Sequence, residues 1–129
     1  MENIIDEFRK KAVDNGIFPD GITVKEIEEF VMSYVEAVFC EYDIPAKVID
    51  VVVYGSRING AAKYDSDIDV IVEYESNFRL KEYVVFNLLR DIYFHGVCID
   101  INPINRYESG SMAEYLLKVA DYEKKALNN

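Results

Sequence analysis

The sequence predicts a small α/β (α+β) domain in which helices pack over a mixed β-sheet. Three observations carry this. Apolar residues recur at helical spacing near both ends of the chain. Three short runs in the middle are β-branched, or alternate apolar with polar. The elements follow one another as α-α-β-(short α)-β-α-β-α, an order that suits a sheet layered with helices.

Ile4, Ile5, Phe8, Ala12 and Val13 share one helical face, which predicts a first helix over 2–14. Asn15-Gly16 ends it, and Pro19-Asp20-Gly21 reads as a turn. Thr23 with Glu26 is a capping box, a hydroxyl and a carboxylate that can satisfy the free N–H groups of a first helical turn. Behind it Ile27, Phe30, Val31, Tyr34, Val35 and Val38 form one stripe to about residue 41, and Pro45 marks the next break. The β-branched run from Val48 to Tyr54 predicts a buried strand. Residues 56–61 read as a short helix or turn and 62–66 as a loop. From Asp67 to Tyr74 the chain alternates, with Ile68, Val70, Val72 and Tyr74 on one side and Asp67, Asp69, Ile71 and Glu73 on the other. Leu80, Val84, Leu88 and Ile92 predict a helix over 79–92. Val97, Ile99 and Ile101 then alternate with Cys98, Asp100 and Asn102, and Pro103 is expected to stop that strand. Ser111 with Glu114 is a second capping box, opening a last helix to about residue 126. The whole chain, 1–129, is expected to be one domain: a helical segment over 1–45, a core over 46–104 and a C-terminal helix over 105–129.

Charge narrows the function. Fourteen basic against twenty-four acidic residues give a net charge of −10. Such a surface repels a long phosphate backbone, which excludes extended nucleic acid as a ligand. A small nucleotide carried on metal ions is compatible with it, because the ions reverse the local sign. Cys40 and Cys98 lie far apart and match no metal-ligand spacing, so two buried, reduced thiols are expected. No apolar stretch is long enough to span a bilayer, and the acidic N-terminus lacks a signal-peptide core. The expected location is the cytoplasm, with no membrane partner.

Residues 55–69 carry the chemistry. Gly55 closes a buried strand and lets the backbone approach a ligand with no Cβ in the way. Ser56 offers a hydroxyl and an N–H suited to phosphate oxygens. Arg57 and Lys63 are nearby cations that could neutralise a triphosphate. Asp67 and Asp69 point to the same side of a strand, about 6.6 Å apart along it. Carboxylates so placed can bracket metal ions ~3.5–4 Å apart, and hard oxygen donors suit Mg²⁺ or Mn²⁺. Asp100 projects from another strand. If the two strands are neighbours, three acids converge, and a divalent cation resolves their repulsion. A Gly-Ser pair alone is a common turn, and an Asp-x-Asp alone is common surface. The weight lies in finding all three features in this order.

Gly55-Ser56, ten intervening residues, then Asp67-x-Asp69 resembles the signature of the polymerase-β-like nucleotidyltransferase superfamily, in particular its minimal members. The resemblance covers residues 46–104. It implies the palm-like catalytic core of that family. It implies that Asp67, Asp69 and Asp100 hold two Mg²⁺ (or Mn²⁺) ions, with Asp100 as general base or third ligand, and that Gly55 and Ser56 hold the β- and γ-phosphates. It implies transfer of a nucleoside monophosphate from an NTP, ATP first among them, to a hydroxyl acceptor such as a protein or RNA end, with release of pyrophosphate. It also implies a protein acceptor or HEPN-type toxin partner in an antitoxin-like setting, with the N-terminal helical pair as docking surface or homodimer interface. The stretch from Asp100-Ile-Asn-Pro-Ile through Ser109-Gly110-Ser111 to Tyr115-Leu116 is similar to nucleotidyltransferase-like domains in large polyvalent proteins of phages and conjugative elements.

Other signals are weaker. Arg90 to His95 matches an Arg-x4-His ribonuclease spacing, but it straddles a helix end and a strand start. Tyr54, Tyr64 or Tyr74 could stack on a base, although core packing is the more ordinary use. Asp65 could serve as an accessory acid or simply be a solvated loop carboxylate. Glu26, Glu28 and Glu29 read as a solvated helix face. The alternative to an enzyme is a non-catalytic nucleotide-binding or antitoxin-like module that binds a partner protein. A purely structural subunit has no specific feature in its favour.

Overall fold

In the computed structural model, which describes residues 3–19, 21–60, 66–77 and 80–127, the capping boxes start two of the helices as expected. The Glu26 N–H donates to Thr23 Oγ1 at 3.1 Å, and α2 (Val24–Glu41) runs on from there. Glu114 and Ser111 bond reciprocally, N–H to Oγ at 3.2 Å and N–H to Oε1 at 3.3 Å, at the head of α6 (Met112–Leu127). Asn3 caps α1 (Ile4–Asn15) by accepting from the Asp6 N–H at 2.9 Å. Asp20, part of the turn expected at 19–21, lies outside the described residues. The Ile22 N–H closes on the Pro19 carbonyl there at 3.1 Å.

Four strands form one sheet in the order β1-β2-β4-β3, from β1 (Lys47–Tyr54), β2 (Ile68–Glu75), β3 (Ile92–Phe94) and β4 (Val97–Asn105). β1 runs antiparallel to β2, β2 parallel to β4, and β3 antiparallel to β4, so the sheet is mixed. The helix α3 (Ser56–Asn59) joins β1 to the segment before β2, α4 (Glu82–Leu88) leads from β2 to β3, and α5 (Arg106–Ser109) follows β4.

Both faces of the sheet are covered. Val51, Val53, Ile68, Val70, Val72, Ile99 and Ile101 line one face, where Phe39 and Phe30 of α2 pack on Tyr74 and Phe94. Ile27, Val31 and Val35 of α2 are fully buried. A fully buried Val or Ile is worth about 2 kcal/mol over leaving it exposed. On the opposite face lie α1 and α6. Arg9 reaches Asp50, Met112 reaches Glu73, and Lys11 meets Glu123 between the two helices. Ile71 and Glu73 are buried beneath them. The alternating side of β2 is therefore closed over Ile71 and Glu73 and partly open at its two ends, Asp69 and Glu75.

Three expectations need correction. Pro103 does not stop the strand: β4 runs to Asn105, with Pro103 beside Val72. β3 pairs only with residues 97–99 of β4, so at Pro103 the strand has a neighbour on one side alone, where a missing N–H costs no ladder bond. The helix expected over 79–92 is shorter, because Asp91 takes a left-handed φ of 57° and a hairpin follows. His95 and Gly96, with φ of 51° and 79°, form the two-residue turn between β3 and β4. Positive φ at both positions is what such a turn demands, and it leaves His95 as a turn residue. Cys40 is exposed rather than buried; both cysteines are free. Among the described residues no helix is long and apolar enough to cross a membrane.

Candidate active site

The sheet register decides whether the acids meet. Tyr54 stands opposite Asp69, and Asp69 opposite Asp100, so the three occupy one rung across β1, β2 and β4. Residues on one rung share a face, and neighbouring strands lie about 4.8 Å apart. Asp100 thus lies beside Asp69 on the face that α1 and α6 leave open at this end. Asp67 precedes β2 by one residue, exposed, and its charge acts on Asp69.

Gly55 is required here twice over. Its φ of 85° is left-handed, and a Cβ at that position would collide with Oδ2 of Asp69. The glycine thereby lets α3 start directly against the acid. Asp69 is half-buried. Burial, then the charges of Asp100 and Asp67, push its carboxyl up to about 6, against the pull of a hydrogen bond from the Ser56 backbone N–H and the Arg57 charge. Among the described residues neither Asp67, Asp69 nor Asp100 takes part in an ion pair.

The donor set suits a hard divalent cation: carboxylate oxygens on one rung, a raised carboxyl, and, among the described residues, no base in an ion pair with them. No three His, Cys, Asp or Glu side chains among the described residues are gathered into a ready-made cation cage. Asp69 and Asp100 share a rung, and Asp67 stands one residue ahead of β2.

Arg57 lies close enough to Asp69 to act on its charge, but its donors point elsewhere. The side chain is 4% exposed. Nε and Nη2 donate to the Ser66 carbonyl at 3.0 and 2.6 Å, and Nη1 donates to the Ile17 carbonyl at 2.7 Å. Lys63, Asp65 and Tyr64 lie outside the described residues. Tyr74 is fully buried against Phe39, its hydroxyl without a hydrogen-bond partner, so it does not face a base.

One feature near the acids was not foreseen. Asn102 lies on the next rung of the same face, opposite Ile71. Its Nδ2 donates to the Tyr115 hydroxyl of α6 at 2.5 Å. Burial, then the Tyr115 phenol, push the Tyr54 phenol up to about 12, while hydrogen bonding to Asn102 pulls the other way. The alternation places Asn102 on the Asp100 side of the strand, but its partner on α6 is a long-range contact that the sequence does not mark. A cleft of about 840 Å³ lies at the other end of β1 and β2, lined by Pro45, Lys47, Glu75, Asn77 and Tyr107 among others. It is roughly 20 Å from the acids along the sheet and holds no comparable group of carboxylates.

A family model for the nucleotidyltransferase domain matches residues 22–126. The chain belongs to the nucleotidyltransferase domain family. The mixed sheet is what the resemblance to minimal polymerase-β-like nucleotidyltransferases led one to expect. The match extends beyond residues 46–104 to take in α2 and α6. Only α1 and the linker after it, together with the last three residues, fall outside it. No curated protein and no solved structure matches the chain. Membership makes the general activity transfer of a nucleoside monophosphate from an NTP.

Proposed function

We propose that this nucleotidyltransferase domain is an active, metal-dependent enzyme of the 1–129 chain acting as one domain. It transfers NMP from an NTP, with ATP the first candidate, to a hydroxyl on a protein or RNA end, and releases pyrophosphate. The observation that carries the reading is the shared rung of Asp69 and Asp100, with Asp67 two residues ahead and no ion-pair partner for any of them among the described residues. Asp67, Asp69 and Asp100 would hold the divalent ions, two Mg²⁺ or Mn²⁺. When bound, such ions neutralise the triphosphate and lower the pKa of the acceptor hydroxyl.

The chain's own groups have distinct tasks in this reading. Gly55 keeps space at Asp69, and the Ser56 hydroxyl holds a phosphate oxygen. Lys63, where it reaches the site, meets the remaining triphosphate charge. Asp100, the more exposed acid, takes the proton from the acceptor hydroxyl as its oxygen attacks the α-phosphorus. The new O–P bond forms as the bond from the α-phosphorus to the bridging oxygen breaks, and pyrophosphate leaves with that electron pair. Most of the rate enhancement is positioning and electrostatics. The net charge of −10 favours a protein hydroxyl over RNA as acceptor. A HEPN-type partner docked on the N-terminal helices, a homodimer through the same helices, a cytoplasmic location and a mobile-element setting belong to this proposal.

A second reading has one observation behind it. The acids are not gathered into a cage, which suits a nucleotide-binding, antitoxin-like module without turnover. One experiment separates the two. The purified protein is incubated with labelled ATP, CTP, GTP or UTP and Mg²⁺, with and without cell lysate. Pyrophosphate release or a labelled acceptor supports the enzyme. Tight metal-dependent nucleotide binding with no turnover supports the module. Neither binding nor transfer contradicts both.

A further inference from the structure

We propose that Arg57 is a positioning residue that locks the linker after α1 to the segment leading into the acid pair, making residues 16–18 part of the active-site frame. This rests on the reading of the acids given above. Residues 16–18 fall outside the matched segment of the family, so the proposed frame recruits a part of the chain that the family model does not describe.

The geometry is a three-way junction. The guanidinium spends Nε and Nη2 on the Ser66 carbonyl and Nη1 on the Ile17 carbonyl. The Ile17 N–H donates back to the Arg57 carbonyl at 3.0 Å. Ile17 is thus held at both its N–H and its C=O by one residue. Ser66 immediately precedes Asp67. A planar guanidinium fixes two carbonyls relative to each other, whereas a lysine ammonium is a point donor on a flexible stem. Gly16 tightens the same linker: a Cβ there would collide with the Ala12 carbonyl and the Phe18 ring. The middle of α1 is fixed by Arg9, which bonds Asp50, Glu28 and the Val51 carbonyl.

Charge separates this role from that of a passive tether. Neutral amides could satisfy two carbonyls. A buried guanidinium is costly unless anions lie near. Arg57 forms no ion pair among the described residues, and its charge acts on Asp69. The residue therefore stands where its fork fixes the path of residue 66 while its charge lies beside Asp69.

The test compares wild type with Arg57→Lys and Gly16→Ala. The first keeps the charge and loses the fork. The second displaces the linker without touching Arg57. Amide exchange is followed at Ile17 and at residues 66–69, with α2 as internal control, and Mn²⁺ affinity is measured by calorimetry without turnover. Both variants are expected to exchange faster at 66–69 while α2 is unchanged, and to bind Mn²⁺ about tenfold more weakly, the usual scale for a residue that orients metal ligands. In the transfer assay kcat falls while KM for ATP stays within about twofold. Unchanged exchange at 66–69 in both variants overturns the proposal. So does a rise in KM for ATP with Mn²⁺ affinity intact, which would make Arg57 a direct phosphate ligand. Should wild type bind no Mn²⁺, the functional reading falls, and exchange at 66–69 in the two variants still decides the junction. If Arg57→Lys fails to fold, Gly16→Ala decides alone.

Discussion

Two carboxylates four residues apart on one face of β2 sit in opposite circumstances. Glu73 is 3% exposed, and its oxygens are occupied. Arg106 donates to Oε2 through Nε at 3.0 Å and pairs with it through Nη2 at 3.0 Å, and the Met112 N–H in the first turn of α6 donates to Oε1 at 3.1 Å. Asp69 is half-buried, faces Asp100 on its rung, and has Asp67 two residues before it. Strand, face and charge are the same; only the partners differ. A carboxylate that serves the fold has its lone pairs taken up by the protein. A carboxylate placed among other acids leaves its oxygens for something the protein does not supply. The comparison teaches where the fold ends and the chemistry begins.

The strongest way to break this comparison is to neutralise each acid in turn. Asp69→Asn is expected to lower nucleotide transfer by about a thousandfold, the scale of losing one group that stabilises charge in the transition state. Its circular dichroism should be that of wild type, and the labelled-NTP assay reads the loss. Glu73→Gln should keep transfer per folded molecule. Full activity in Asp69→Asn would remove the acid from the site. For stability the order reverses. Urea unfolding should show Glu73→Gln less stable by about 2 kcal/mol, because a buried charged acceptor is neutralised while its partner Arg106 stays half-exposed. A loss below a few tenths of a kcal/mol would mean that Arg106 does not depend on Glu73.

The pH dependence sharpens the contrast. The Asp69 carboxyl is raised from 3.8 to about 6 on folding, so the folded protein holds that proton more tightly than the unfolded chain. The stability it contributes is present below pH 3.8 and is lost as pH rises through about 6. In chelator at pH 7, Asp69→Asn should therefore be more stable than wild type, by about 1 kcal/mol once solvent screening of this half-exposed group is allowed for. Adding Mg²⁺ should stabilise wild type and not the variant. Thermal melts across pH 4–7 with and without Mg²⁺ measure both; a wild type that gains stability across that range in chelator would contradict the assignment. The smallest effect belongs to Arg106→Lys, expected to cost about 1 kcal/mol by urea unfolding because the fork is lost and the charge kept.

Much of this was legible before any coordinates. Thr23 and Ser111 announce their helices because capping is local chemistry within four residues. Asp67, Asp69 and Asp100 were readable because alternation fixes which residues share a face of a strand. That Asp69 and Asp100 share a rung was not readable, since strand order depends on long-range pairing that leaves no local mark. Pro103 misled for the same reason: a proline ends a central strand but is tolerated where the neighbouring strand has stopped. The His95-Gly96 turn was a missed local signal, since a Gly-containing pair between apolar runs marks a hairpin. Arg57 shows the limit of reading a cation by its neighbours in sequence. Its partners are backbone carbonyls forty and nine residues away, and carbonyls have no sequence signature.

The most direct test of the central claim is Mn²⁺ binding by calorimetry to wild type, Asp69→Asn and Glu73→Gln in the presence of ATP. Acids outside any ion pair among the described residues account for binding in wild type, its loss in Asp69→Asn and its retention in Glu73→Gln. Equal binding by wild type and Asp69→Asn, or no binding by any of the three, would contradict it.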